Sequence, residues 1–95
     1  MLNSKQRAYL RGLSNKIEPI VHIGKIGLNE NILKQIDEAL EARELIKITV
    51  LNNSPEDAKA ISEDIAKSSN AELVQVVGKK LTIYRKAKKP TIVLP

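Results

Sequence analysis

Residues 20–50 carry the pattern that most constrains how this chain can fold. A short apolar run at 20–23 leads into a segment with two glycines, and Asn29, a favourable helix cap, follows. After it, apolar residues recur at the third and fourth positions of a helix, namely Ile32, Leu33, Ile36, Ala39 and Leu40. Residues 46–50 then alternate apolar and polar side chains, as a half-buried strand does. Because a helix between two strands returns the chain across a sheet, the pattern predicts a β-α-β unit with parallel strands.

The flanking segments predict two further helices. Asn3 or Ser4 can cap a first helix that runs to about Ser14. Ser54, followed by Pro55, has the residue types that favour the start of a helix, with a hydroxyl at the cap and proline at the first helical position. A helix is therefore expected on each side of the β-α-β unit.

The last part of the domain predicts a hairpin. Residues 71–77 and 80–85 are rich in strand-forming residues, and Gly78-Lys79 between them fits a two-residue type II′ turn. The elements follow the order α-β-α-β-α-β-β. This order predicts an α/β fold, a single compact domain in which three helices pack on a small mixed four-stranded sheet.

Length and composition limit the function classes. Ninety-five residues suit one domain, predicted over 1–86, with a basic and apolar tail at 87–95 in which 91–94 forms either an edge strand or a docked segment. No cysteine and one histidine leave no disulfide, thiolate nucleophile or multi-histidine metal cage. No apolar run has the length of a membrane span, and the amino terminus lacks a signal-peptide core. We expect a cytoplasmic monomer without cofactor, metal, membrane or small-molecule substrate.

Charge is distributed unevenly along the chain. Residues 1–28 carry five basic and one acidic side chain, residues 71–95 carry six basic and one acidic, and residues 29–70 have a net charge of −4. If the two basic segments meet in space, the domain has one positive face suited to a polyanion. The alternative is that these are ordinary solvated charges that keep a small domain soluble.

The strongest candidate binding element is Gly24-Lys25-Ile26-Gly27. Glycines let backbone N–H groups approach an anion, the positive end of the following helix dipole favours negative charge, and Lys25 adds a mobile cation. A KH-type G-x-x-G loop clamps nucleic-acid backbone in such a context. The segment lacks the further features of a dinucleotide fingerprint or a P-loop. It is read as a contact for phosphate backbone, with a purely structural turn as the alternative.

No catalytic constellation is evident. His22 has no identifiable serine, cysteine or paired carboxylate and is interpreted as a structural or rim residue. Carboxylates on the second helix are interpreted as a solvated face, namely Asp37, Glu38, Glu41 and Glu44. Tyr9 and Tyr84 are the only aromatic residues, which disfavours modules that stack bases on a sheet. Any RNA binding should therefore depend on backbone and shape.

An ordered set of short motifs resembles a known family. They are Lys5-Gln6-Arg7, Leu10-Arg11, Pro19-Ile20-Val21, Ile23-Gly24-Lys25, Gly27-Leu28, Glu44-Leu45-Ile46-Lys47-Ile48, Leu73-Val74-Gln75-Val76-Val77-Gly78 and Leu81-Thr82-Ile83-Tyr84-Arg85. Together they resemble the CRM domain, named for chloroplast RNA splicing and ribosome maturation, in its stand-alone bacterial YhbY-like form. The resemblance covers about residues 2–86. Asn29 replaces the usual threonine or serine of the family and keeps the cap, and Arg43 stands where histidine is frequent.

The resemblance implies an RNA-binding domain similar in fold to the C-terminal domain of translation initiation factor three. Bacterial members are associated with precursors of the large ribosomal subunit. The family's loop falls on Gly24, Lys25, Ile26 and Gly27, and its basic first helix falls on Lys5, Arg7 and Arg11. The basic C-terminal segment adds Lys79, Lys80, Arg85 and Lys86 to the expected footprint.

We therefore expect a non-enzymatic assembly factor that contacts large-subunit ribosomal RNA precursors in pre-ribosomal particles. Two alternatives remain at this stage. One is a small phosphate- or nucleotide-processing enzyme that uses the same anion site. The other is an interaction module whose basic face docks an acidic protein.

Overall fold

The computed structural model describes residues 2–95; Met1, with which the predicted domain begins, lies outside the described residues. Three helices and four strands follow the predicted order, which is confirmed. They are α1 (Ser4–Ser14), β1 (Pro19–Ile23), α2 (Glu30–Arg43), β2 (Leu45–Val50), α3 (Ala58–Ser68), β3 (Glu72–Val77) and β4 (Lys80–Tyr84). No helix in residues 2–95 is both long enough and apolar enough to cross a membrane.

The four strands form one mixed sheet in the order β1-β2-β4-β3. β1 and β2 are parallel, and β4 runs antiparallel to both of its neighbours, β2 and β3. The predicted mixed α/β fold is thus confirmed. Because β4 lies between β2 and β3, strands β1, β2 and β3 all point the same way. Their carboxyl ends and the turn at Gly78-Lys79 lie at one end of the sheet, called here the loop end; the opposite end is the tail end.

Each face of the sheet has its own core. α2 and α3 cover one face, where the buried side chains include Ile23, Ile36, Leu40, Ile46, Ile48, Ile61, Ile65, Leu81 and Ile83. α1 and the C-terminal tail cover part of the other face, around Leu10, Leu45, Val74 and Tyr84. The alternation of β2 explains the division, because Ile46 and Ile48 face the first core and Leu45 faces the second.

Side-chain caps begin the first two helices at the expected residues. The Asn3 side chain accepts a hydrogen bond from the Gln6 N–H at 2.8 Å, and the Gln6 side chain accepts one from the Asn3 N–H, which completes a capping box. Asn29 accepts from the Ile32 N–H at 2.9 Å. Both predicted caps are confirmed.

The third helix begins later than predicted. Its cap is Asp57, whose carboxylate accepts from the Ala60 N–H at 2.8 Å, and the first helical residue is Ala58. The Ser54 hydroxyl instead donates to the Glu56 carbonyl within an irregular loop. The prediction of Ser54 as cap was wrong because the segment before Asp57 packs against the glycine turn and is not free to become helical.

Glu44 contradicts the prediction that the carboxylates of α2 form a solvated face. Its side chain is only 1% exposed, and its φ of 65° turns the chain sharply from α2 into β2. The carboxylate accepts hydrogen bonds from the N–H groups of Ala87, Thr91 and Ile92 at 2.9, 2.6 and 2.8 Å and from the Thr91 hydroxyl at 3.1 Å. Residues 91–94 are therefore a docked segment and not an edge strand.

The protonation of Glu44 follows from these contacts. Burial raises the pKa of the Glu44 carboxyl, but the three backbone N–H donors and the Thr91 hydroxyl outweigh burial and hold the pKa below its ordinary value. Because the folded pKa is lower than the unfolded one, the ionised group stabilises the fold above the unfolded pKa. This stability is lost as the pH falls through the folded pKa.

Glu44→Gln should lower the free energy of unfolding at neutral pH by about 1–3 kcal/mol, because an amide NH2 group would face a backbone N–H donor. Glu41→Gln on the same helix is the matched control, since Glu41 is exposed, accepts one hydrogen bond from the Lys88 N–H and lies 3.8 Å from the Arg85 guanidinium. Urea denaturation of both variants checks this. The loss of unfolding free energy in Glu44→Gln should become smaller in acid. A loss equal to that of the control, or one independent of pH, would contradict the stabilising role of the ionised Glu44 carboxylate.

Candidate nucleic-acid interface

The glycine segment after β1 is a closed turn. The Gly27 N–H donates to the Gly24 carbonyl at 2.9 Å, which places Lys25 and Ile26 at the two central positions. Both central side chains project into solvent, and Ile26 is 81% exposed. Gly27 has a φ of 78°, which only glycine adopts without strain. The turn therefore presents one cation and one apolar side chain at its tip.

The loop after β2 packs against this turn. A Cβ atom at Gly24 would lie 3.5 Å from Oδ1 of Asn53 and 3.6 Å from a methyl carbon of Leu51. A Cβ atom at Gly27 would lie 3.4 Å from Cδ of Pro55. The two glycines thus fit closely against the segment that displaces the start of α3, and this packing fixes the position of the turn.

The turn leaves three backbone donors for a ligand. Within residues 2–95, the N–H groups of Gly24, Lys25 and Ile26 have no hydrogen-bond acceptor, whereas the N–H of Gly27 is engaged in the turn. The expectation that all amides of 24–27 hold a phosphate is therefore narrowed to these three. The α2 dipole also contributes less to anion binding than expected. The helix begins at Glu30, three residues beyond Gly27, and Glu30 itself carries a negative charge.

Hairpin lysines lie beside the glycine turn. The Leu51 N–H donates to the Ile23 carbonyl at 2.8 Å, and the Val50 N–H donates to the Lys79 carbonyl at 2.7 Å. Lys79 is thus two strands away from the start of the turn, about 10 Å at ordinary strand spacing. Lys79 and Lys80 are exposed, and neither forms an ion pair within residues 2–95. The structure brings these two predicted residues together with the turn.

The basic residues of α1 lie elsewhere. This helix starts at the tail end, where the Leu2 N–H donates to Glu72, and the Arg7 guanidinium donates to the Leu73 carbonyl at the start of β3. Its carboxyl end reaches the middle of the sheet, where the Ser14 and Thr82 hydroxyls are 2.7 Å apart. The amino-terminal part of α1 thus lies at the opposite end of the sheet from the glycine turn. The predicted residues Lys5, Arg7 and Arg11 are therefore not assembled beside Lys25.

Arg85 and Lys86 lie beyond the carboxyl end of β4, about 17 Å along the strand from Lys80. The Arg85 side chain is only 18% exposed and is 2.7 Å from a carboxylate oxygen of Asp37; it also donates to the Ser69 and Asp37 carbonyls. Its charge is thus balanced inside the fold, and its contacts join β4 to α2. The predicted site is split, with Arg85 and Lys86 at the tail end.

One cation in the middle of the sheet was not among the predicted site residues. Lys47 of β2 pairs with Thr82 of β4, and its side chain lies on the sheet face opposite Ile46 and Ile48. The signal was present in the sequence, because alternation places the polar residues of 46–50 away from the apolar core. Periodicity does not reveal, however, that α1 leaves this part of the sheet face uncovered.

The described residues offer no catalytic arrangement. His22 is exposed, pairs across the strands with Thr49, and makes no side-chain hydrogen bond within residues 2–95. No three histidine, cysteine, aspartate or glutamate side chains in the described part of the chain are grouped to hold a metal ion. The loop end instead presents exposed lysines and unengaged backbone N–H groups.

Comparison with known proteins agrees with this geometry. Residues 2–85 match the family model described as the CRS1 / YhbY (CRM) domain. The chain is 46% identical over 88 residues to the probable RNA-binding protein YqeI of Bacillus subtilis, an alignment that covers 93% of this chain and 92% of that relative. It is 36% identical over 94 residues to an RNA-binding protein of Haemophilus influenzae, covering 99% of this chain and 95% of that one.

A solved structure is similar over its whole length. The solution structure of the hypothetical protein SAV1595 from Staphylococcus aureus, for which RNA binding is proposed, superposes with a TM-score of 0.84. The two sequences are 50% identical, and the match covers 100% of both chains. The relatives described here are named for RNA binding and not for an enzymatic activity.

Gly27→Ala should lower the free energy of unfolding by about 1–2 kcal/mol, because alanine at positive φ brings Cβ too close to the backbone. Gly12→Ala is the matched control. Within residues 2–95, no atom other than those of Gly12, its two chain neighbours and the helix's own backbone lies within 4 Å of the added Cβ at Gly12. Alanine in a helix is favoured by about 0.5–1 kcal/mol, so this variant should be more stable than the wild type. Urea denaturation measures both, and equal stability of Gly27→Ala and wild type would contradict the conformation of the turn.

Proposed function

The chain belongs to the CRS1/YhbY (CRM) domain family, and from this membership and the geometry of the loop end we propose that it binds RNA through the turn at 24–27. The proposal rests on a turn with three unengaged backbone N–H donors and Lys25 at its tip, and on two lysines of the neighbouring hairpin that form no ion pair within residues 2–95. Backbone N–H groups and lysine side chains are the donors that hold phosphate oxygens in protein–nucleic acid complexes.

Recognition on this proposal is directed at the RNA backbone. Tyr84 is buried in the second core and Tyr9 lies on α1, so neither presents a ring at the loop end. With no aromatic side chain there, bases have no stacking platform, and contacts to phosphate carry most of the affinity. Binding should therefore weaken steeply with salt and depend little on base sequence.

We further propose that the RNA is a precursor of the large-subunit ribosomal RNA and that the protein acts as a monomeric assembly factor in the cytoplasm. The resemblance of residues 2–86 to the stand-alone bacterial form of the family supports this choice of RNA. A small domain with exposed lysines beside an open turn can attach to exposed RNA segments of an assembling particle and leave when salt-sensitive contacts are replaced.

Lys25→Glu should weaken binding to single-stranded RNA several-fold and lower the salt dependence, because each lost phosphate contact reduces the slope of log K against log salt by about 0.7. Lys67→Glu, which makes the same charge change on the exposed side of α3, is the matched control. Fluorescence anisotropy at several salt concentrations measures both variants. Equal affinities of the two variants, with wild-type melting temperatures, would overturn the role of the turn.

The ribosomal proposal has its own test. The wild-type protein should co-sediment in low salt with precursors of the large subunit and be released as salt is raised, and Lys25→Glu should co-sediment less. Sedimentation with other RNA species alone, at matched salt, would contradict the ribosomal assignment and leave RNA binding in place.

A further inference from the structure

The face of the sheet that carries α1 is only half covered. α1 ends at Ser14, whose hydroxyl meets Thr82 in the middle of the sheet, and the second core lies on the tail side of this contact. Level with this contact and from there towards the loop end, the same face presents side chains that are exposed or half-buried, namely His22, Lys47, Thr49, Gln75 and Lys80. These five residues are called the open face.

Strand register sets the spacing of the charges on the open face. Thr49 lies opposite Lys80, and Lys47 lies opposite Thr82, two residues further along β4. Lys47 and Lys80 are therefore diagonal neighbours, which in an antiparallel pair are about 7–8 Å apart. His22 continues the row on the other side of Thr49. The sheet thus fixes two lysines and a histidine within a small area.

No acidic group balances these lysines. None of the five residues of the open face is acidic, and neither Lys47 nor Lys80 forms an ion pair within residues 2–95. Two cations held near each other on a rigid sheet repel each other, and a bound anion removes the repulsion. The open face is therefore complementary to a polyanion.

A depression in the open face adds a second observation. It has a volume of about 120 Å³ and is lined by Asn15, Lys47, Gln75, Val77, Lys80 and Thr82. Beside it, the Thr49 hydroxyl is buried and has no hydrogen-bond partner in the described residues. An unpaired buried hydroxyl is typical of a place where an ordered water or ion binds.

The open face is continuous with the loop end. β1 leads from His22 directly into the turn at 24–27, and β4 begins at Lys80, next to Lys79 of the hairpin. A ligand held by the turn can therefore continue over the strand ends onto the open face without crossing a helix. The cations along this route are Lys25, Lys79, Lys80 and Lys47.

We propose that the open face is a second contact for the backbone of the RNA that the turn binds, with Lys47 and Lys80 holding phosphates. This inference rests on the proposed function and extends it from a single loop to a path across the sheet. It assigns a role to Lys47, which lies on none of the loops. The amide group of Gln75, which donates to the Ser14 hydroxyl at 3.4 Å, supplies a further polar partner for the sugar–phosphate backbone.

The test removes both lysine charges of the open face. Lys47→Gln combined with Lys80→Gln keeps most of each side chain, and Lys34→Gln combined with Lys67→Gln makes the same change on the helices of the other face. We expect the first double variant to bind single-stranded RNA at least several-fold more weakly than the control, with the salt slope reduced by about 1.4. Affinity and slope equal to those of the control would overturn the inference.

Failure of the inference is distinguishable from failure of the proposed function. If Lys25→Glu weakens binding and the open-face variant matches its control, RNA binds at the turn alone. If neither variant weakens binding, both this inference and the proposed function are wrong. Melting temperatures of all variants must equal that of the wild type for these comparisons.

Lysine acetylation of the wild-type protein gives a second measurement that does not depend on the variants folding. RNA should protect Lys47 and Lys80 from acetylation and leave Lys34 and Lys67 reactive. Protection of Lys47 that rises with protein concentration in the absence of RNA would assign the open face to a second copy of the chain. That result, or no protection by RNA, would overturn the inference.

Discussion

The pairing of β2 with β1 on one side and β4 on the other is the constraint on which the rest of the structure depends. Ile46 and Ile48 of β2 are fully buried in the core on the sheet face that α2 and α3 cover, so this strand cannot change register without losing its core contacts. Since β4 is inserted next to β2, the turn after β1 and the hairpin before β4 emerge at the same end of the sheet. The convergence of Lys25 and Lys79 follows from this strand order.

The two ends of the sheet differ in whether charged side chains contact other groups of the protein. At the tail end, charged groups are used inside the fold: Arg85 pairs with Asp37, Arg7 donates to the Leu73 carbonyl, and the Glu44 carboxylate holds residues 87–92. At the loop end the lysines have no carboxylate partner within residues 2–95. Lys25, Lys79 and Lys80 are therefore exposed cations beside the turn, and Glu56 and Asp57 line a neighbouring depression together with Lys79.

Local sequence patterns predicted the helices and strands. The features that they failed to predict are set by contacts between residues far apart in the sequence. Asn29 and the apolar spacing of α2 are local signals, and both were confirmed. Ser54 was a reasonable cap by residue type, but the packing of the following loop on the glycine turn moved the start of α3 to Ala58. Glu44 was wrongly assigned to solvent because helical periodicity contains no information about a tail that docks about 45 residues later. The glycine turn itself was predicted as a backbone contact, and which lysines accompany it depended on strand order, which no local pattern encodes.

We propose that ligand contacts lie at the loop end and on the open face of the sheet. The most direct test is a titration of isotope-labelled protein with single-stranded RNA, followed by NMR through the backbone amide signals. The account predicts that the amides of Lys25, Ile26 and Lys79 shift most, with smaller shifts at Lys47 and Lys80, and that the exposed sides of α2 and α3 are unchanged. Shifts concentrated on α2 and α3, or on the amino-terminal half of α1 with none at Lys25, would contradict it.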